Sequence, residues 1–109
     1  SVDVFLGLPY DIAMYGLLLE LLAKGHGLKP GKLIGQLGDC HIYNNHIDQA
    51  TTLMYRNPDT YFCPVLQLDT IGVCINSKNE INIPSLDSMI LHGYEHMGEI
   101  KAPLNVGKK

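Results

Sequence analysis

Asp39, His41 and Tyr43 fall at every second position of Gly38-Asp39-Cys40-His41-Ile42-Tyr43. A period of two puts all three on one face of a strand. An imidazole and a phenol can each donate and accept hydrogen bonds, so a neighbouring pair suits a sugar hydroxyl. Taken alone, the pattern equally describes a solvated outer strand face, and that plainer account is favoured. Asp11 opens a helical run and reads as its N-cap, where the helix dipole favours a negative charge. Asp3 reads as a surface strand carboxylate. His92 and His96 could pair on a metal, but no third ligand has suitable spacing, so no metal is assigned. His26 belongs to a loop.

The elements that must hold these residues follow from periodicity and breakers. Residues 2–6 read as a short strand leading into a Gly7-Leu8-Pro9 turn. Residues 11–24 repeat Ile12, Tyr15, Leu18 or Leu19 and Leu22 at helical spacing. Leu17, Leu21 and Ala23 widen the apolar stripe, which predicts a helix buried nearly all round. Gly25-His26-Gly27 stops it. Residues 32–43 alternate as a strand, with Gly35 and Gly38 marking a bulge or a close backbone approach. On that strand Cys40 points away from His41 and reads as a core thiol. A helix is expected over 45–55, ended by Asn57-Pro58, and a loop over 57–64. Strands are expected at 65–68, 71–75 and 89–94, with a polar turn at 76–79, a short apolar stretch at 81–83 and a polar tail over 101–109. The fold class is α+β: a mixed sheet packed on the buried helix 11–24.

Composition sets the outer limits. A chain of 109 residues supports one small core. A net charge of −3 without a basic run argues against broad nucleic-acid binding, so DNA is not an expected partner. No apolar run approaches the length of a membrane span, and Ser1-Val2-Asp3 carries no basic leader. Three cysteines at irregular spacing form neither a zinc knuckle nor a disulfide framework. The expected compartment is the reducing cytoplasm. Strand-like apolar residues begin almost at once, at Val2, Val4, Phe5 and Leu6, which reads as a piece of a longer chain.

Phe5-Leu6-Gly7-Leu8-Pro9-Tyr10-Asp11-Ile12-Ala13-Met14-Tyr15, together with Gly38-Asp39-Cys40-His41-Ile42-Tyr43-Asn44-Asn45-His46, resembles the nucleotide-binding half of the thymidylate synthase family. Gly93-Tyr94-Glu95-His96, followed by Ile100-Lys101-Ala102-Pro103, resembles the family's C-terminal run. The match is dense over 1–46 and 92–103 and weak over 57–90. It implies a partial thymidylate-synthase-like fold, with residues 1–109 as the C-terminal part of the domain. It also implies transfer of a one-carbon unit from 5,10-methylenetetrahydrofolate to C5 of a pyrimidine nucleoside 5′-monophosphate. The family's nucleophilic cysteine would lie upstream of Ser1, so Cys40, Cys63 and Cys74 do not inherit that role and these 109 residues alone would be inactive. The expected partners are the N-terminal half of the same enzyme and a second copy in a homodimer.

The same resemblance implies residue roles. His41 and Tyr43 match the pair that holds the nucleotide 3′-hydroxyl, with Asp39 a structural partner. Ser1 and Asp3 match an R-S-x-D run whose Arg is missing here; Ser1 would touch the 5′-phosphate, and Asp3 would sit at the folate and relay protons. Leu6 and Gly7 match folate contacts. Asn44-Asn45-His46 is expected to cap the next helix. Asp11 matches the base reader, which is Asn in thymidylate synthases, whereas Asp resembles the deoxycytidylate hydroxymethylase branch. A protonated carboxyl can accept from cytosine N4 and donate to N3, provided the site is enclosed enough to keep that proton. Such a branch points to a virus or a nucleotide-modifying pathway. Family chains end a few residues after the Ile-Lys-Ala-Pro run; here Leu104-Asn105-Val106 is followed by Gly107-Lys108-Lys109, an extension that would move the terminal carboxylate.

Overall fold

The computed structural model describes residues 1–106. The expected displacement of the terminal carboxylate by residues 107–109 lies outside the described residues. The class is α+β, as expected. In place of one mixed sheet, however, the strands form three separate two-stranded ladders. The chain divides into two compact units, the first built from Ser1–Ala13, Gly35–Tyr61 and the segment from His96 onward, the second from Met14–Ile34 and Phe62–Glu95.

In the first unit, β1 (Val2–Asp3) pairs in parallel with β2 (Cys40–His41), setting Val2 against Cys40 and Asp3 against His41. The Val2 N–H donates to the Asp39 carbonyl at 2.6 Å and the Val4 N–H to the His41 carbonyl at 2.9 Å. The expected strand at 2–6 stops at Asp3 because the Asp3 carboxylate turns the chain. Its Oδ1 accepts from the Phe5 and Leu6 N–H groups at 3.2 and 3.3 Å. This is the local side-chain capture by which Asp competes with strand pairing. With β1 only two residues long, the expected strand at 32–43 has a partner only at Cys40–His41. The two-stranded ladder leaves Cys40 exposed, contrary to the expected core thiol.

A single 3-10 turn at Asn44–His46 leads into α2 (Ile47–Met54). The expected capping by Asn44-Asn45-His46 does not occur through side chains: neither helical start has a side-chain cap. Asn45 and His46 are engaged instead by the chain's last stretch. Asn45 pairs reciprocally with the Asn105 amide at 2.9 and 3.0 Å, and His46 bonds the Pro103 carbonyl.

Helix α1 (Leu8–Gly25) begins three residues before the expected Asp11. Pro9 is compatible with a first helical turn, where its missing N–H has no partner to lose. The Asp11 N–H donates to the Gly7 carbonyl at 3.0 Å, so Asp11 lies inside the first turn and is not the cap. At the other end, the Leu28 N–H reaches back to the Ala23 carbonyl at 2.9 Å and Gly27 takes φ +65°. That is a Schellman stop, with glycine where the left-handed backbone requires it.

The expected all-round burial of α1 is not found. Only Leu21 and Ala23 of the helix are buried, while Ile12, Met14, Tyr15 and Leu18 are each more than 40 % exposed. The other buried apolar side chains among the described residues are Phe5, in the first unit, and Pro84, in the second.

In the second unit the last turn of α1 lies directly on residues 72–73. The Val73 N–H donates to the Leu21 carbonyl at 3.0 Å. A Cβ on Gly72 would collide with the Leu21 carbonyl, and one on Gly25 with the Val73 carbonyl. This engagement of Val73 explains why the expected strand 71–75 shrinks to β4 (Cys74–Ile75). Strand β4 pairs antiparallel with β5 (Ile81–Asn82) across the turn at 76–79. In that turn Asn76 Oδ1 accepts from the Lys78 and Glu80 N–H groups, and Asn79 takes φ 62°. Strand β3 (Val65–Leu68), with the expected bounds, pairs antiparallel with β6 (Met89–His92), Val65 facing His92 and Leu68 facing Met89.

Candidate functional site

The seven residues singled out for ligand contact all fall within the first unit. Backbone hydrogen bonds and strand pairing link four of them, Asp11, Gly7, Asp3 and His41. The Asp11 N–H bonds the Gly7 carbonyl, and the Gly7 N–H bonds the Asp3 carbonyl at 3.1 Å, which encloses Leu6 in the turn. Asp3 faces His41 in the parallel ladder. The His41 and Tyr43 rings then meet edge to face, centroids 5.0 Å apart at 85°. Ser1 is exposed at the start of β1.

The tightness of the 3–7 turn depends on Gly7. A Cβ there would stand 3.1 Å from the Asp3 carbonyl oxygen and 3.5 Å from the Asp3 Cβ. Glycine lets the helix start close over Asp3 and holds the half-buried carboxylate beside half-buried Leu6. Asp3 therefore has a structural task that the sequence pattern did not show: it caps the turn through Oδ1.

The His41 ring has an orientation with chemical content. Its Nδ1 lies 3.3 Å from the Asp39 carbonyl oxygen, which can only accept, so in the neutral ring Nδ1 carries the hydrogen. Nε2 is then an acceptor. Asp39 acts as the structural partner expected of it, but through its main-chain carbonyl, which also takes the Val2 N–H. Tyr43 is partly exposed at 37 %. An acceptor imidazole nitrogen and a phenol O–H on adjoining rings are groups that can each hydrogen-bond a hydroxyl.

Asp11 is exposed in the first turn of α1. Placed there, a carboxylate is favoured by the partial positive charge of the helix start. His26 lies just past the end of α1 and is exposed, its Nδ1 3.1 Å from the Leu22 carbonyl. His92 is exposed on β6, its Nε2 2.6 Å from Gln67 Oε1, and His96 Nδ1 accepts from the Gly98 N–H. No group of three potential metal ligands gathers among the described residues.

The residue that the sequence reading undervalued is His46. It is fully buried, with its ring 5.7 Å from Phe5 and 5.6 Å from Tyr43. The only available signal was that the motif match ran on through Asn44-Asn45-His46. Periodicity contains no information on a contact made 57 residues later, at Pro103.

The chain belongs to the thymidylate synthase family, whose model (thymidylate synthase) matches residues 1–106. At the family level this assigns transferase chemistry, the folate-dependent methylation of C5 of a pyrimidine nucleoside monophosphate with methylenetetrahydrofolate as donor. No described helix is long and apolar enough to cross a membrane.

Proposed function

We propose that this chain is the nucleotide-binding, C-terminal part of a thymidylate-synthase-like domain that acts on a deoxycytidine 5′-monophosphate, as in the hydroxymethylase branch. The observation that carries the reading is the pairing of β1 with β2. It sets the Asp3 turn beside His41 and Tyr43, which supports assigning the two rings to the sugar and the carboxylate turn to the folate in one site.

In this reading the Tyr43 hydroxyl donates to the sugar 3′-oxygen, while His41 Nε2 accepts the 3′-hydroxyl hydrogen. Ser1 contacts the 5′-phosphate. Asp11 reads the base edge, accepting from cytosine N4. Because Asp11 is exposed in the chain by itself, enclosure of the base comes from the bound nucleotide and from surfaces outside the described residues. Asp3, Leu6 and Gly7 suit the reduced folate. A half-buried carboxylate next to a leucine side chain fits an amino-substituted flat ring, with the carboxylate accepting from ring donors and the leucine covering a face. Bound there, 5,10-methylenetetrahydrofolate supplies the one-carbon unit. Asp3 holds a proton-accepting oxygen at that ring.

The nucleophilic cysteine and the phosphate arginine are assigned to the N-terminal half, and the complete enzyme to a cytoplasmic homodimer. The small buried core and the exposed apolar residues of α1 support a need for further protein surface. Three free thiols, two of them exposed, suit a reducing compartment.

A second reading is thymidylate synthase proper, acting on deoxyuridylate. The placement of Asp11 favours it in one respect: a first-turn carboxylate is explained by the helix dipole without any base. The test is the full-length protein with 5,10-methylenetetrahydrofolate and each nucleotide. Mass spectrometry of the product distinguishes a hydroxymethylated cytosine nucleotide from thymidylate. One-carbon transfer to neither nucleotide refutes both readings. Turnover by purified residues 1–109 alone refutes the assignment of the nucleophile elsewhere.

A further inference from the structure

His46 is the one large side chain among the described residues that is completely shielded from solvent. Its Nε2 lies 2.7 Å from the Pro103 carbonyl oxygen. That oxygen can only accept, so Nε2 carries the ring hydrogen and donates it. Nδ1 is then a buried lone pair with no hydrogen-bond partner. A ring chosen only to fill this hole would do better as phenylalanine, which has no polar atom to desolvate. The histidine therefore matters for the bond it makes to Pro103.

That bond joins two things. On one side the His46 ring meets the Tyr43 ring edge on, at 74°. On the other side is the chain's last described stretch, tied to the same region by three more side-chain contacts. Asn45 pairs with Asn105, Gln49 Nε2 donates to the Lys101 carbonyl, and Arg56 donates to the Gly98 carbonyl at 2.9 Å. The Asn105 Nδ2, itself a donor, lies 3.2 Å from His46 Nε2 and makes no bond to it in this tautomer. Residues 98–105 are thus laid along the 3-10 turn and α2, with His46 as the point where they reach Tyr43.

We infer that His46 is a positioning residue for Tyr43: the Pro103 carbonyl fixes the imidazole, and the imidazole edge fixes the phenol that reads the sugar 3′-hydroxyl. Seating of residues 98–105 is thereby part of 3′-hydroxyl recognition. The inference rests on the proposed role of Tyr43.

The experiment is equilibrium binding to the full-length protein of its preferred pyrimidine deoxynucleoside monophosphate and of the 2′,3′-dideoxy analogue. The wild type is expected to prefer the 3′-hydroxyl form by about tenfold, the worth of one to two hydrogen bonds. His46→Phe keeps the ring volume and removes the donor. It is expected to abolish most of that preference while affinity for the dideoxy analogue holds. His46→Gln returns an N–H near the Nε2 position and is expected to restore part of it. Tyr43→Phe combined with His46→Phe should be no worse than Tyr43→Phe alone. Retained preference in His46→Phe, an equal loss for both nucleotides, or no advantage of Gln over Phe overturns the inference. If His46→Phe does not fold, truncation after Ala102 removes the acceptor and leaves the ring, with the same expected loss and the same contrary outcome. A wild type without any 3′-hydroxyl preference refutes the sugar-site reading itself, whereas a discriminating wild type with an indifferent His46 refutes only this inference.

Discussion

Replacing Asp11 by Asn separates two accounts of that residue by size and by assay. In the first turn of α1, with its N–H on the Gly7 carbonyl, the carboxylate interacts with the helix start whether or not a nucleotide is bound. An exposed charge there contributes about 0.3–1 kcal/mol, so Asp11→Asn should lower stability by no more than that. The backbone bond to Gly7 is unaffected, because the main chain makes it. Base reading is a separate and larger quantity. A carboxylate against uracil O4 sets acceptor against acceptor, and a buried mismatch of this kind costs about 1–3 kcal/mol. This corresponds to a preference of roughly tenfold to hundredfold for the cytosine nucleotide. The Asn amide supplies a donor to O4 and should shift kcat/KM toward deoxyuridylate by a similar factor. The assay is kcat/KM for both nucleotides in wild type and variant, with denaturant unfolding measured alongside. If the ratio does not move while stability falls slightly, Asp11 is a helix-dipole residue only. If the wild type prefers deoxyuridylate, the hydroxymethylase reading is wrong and the ordinary synthase reading stands.

Other consequences follow from the same geometry. Gly7→Ala places a Cβ 3.1 Å from the Asp3 carbonyl; it should cost about 1–3 kcal/mol as overpacking and raise KM for folate more than for nucleotide, with equal changes in both counting against a folate role for the turn. His41→Ala or Tyr43→Phe in the full-length protein should each weaken nucleotide binding by about 1 kcal/mol with unfolding midpoints little changed, and intact affinity in calorimetry would mark them as a solvated strand face. Gly72→Ala drives a methyl into the Leu21 carbonyl and should destabilise by about 1–3 kcal/mol in urea titration, whereas Gly16→Ala, with nothing within 4 Å, should stabilise α1 by about 0.5–1 kcal/mol. Reversal of that order would mean that α1 does not rest on residues 72–73.

What the amino-acid order determined by itself was local. Strand β3 was readable at Val65–Leu68 because a short, mainly apolar run lies between the breakers Pro64 and Asp69. The stop of α1 was readable because Gly27 alone accepts the positive φ that the Schellman bond needs. The family was readable because motif residues keep their spacing whatever their packing, and the family match over 1–106 agrees.

Tertiary structure decided the rest, and in each case a second partner distant in sequence made the decision. Strand β2 is two residues long because β1 is, and β1 ends where the Asp3 carboxylate takes the Phe5 and Leu6 N–H groups. The apolar stripe of α1 correctly indicated a helix but not its burial: periodicity records which residues could be covered, while only the presence of a covering layer determines which are. His46 is the clearest case. Nothing near it in the chain distinguishes a helix cap from a buried ring. It became the latter because Phe5 and Pro103, at opposite ends of the chain, close on it.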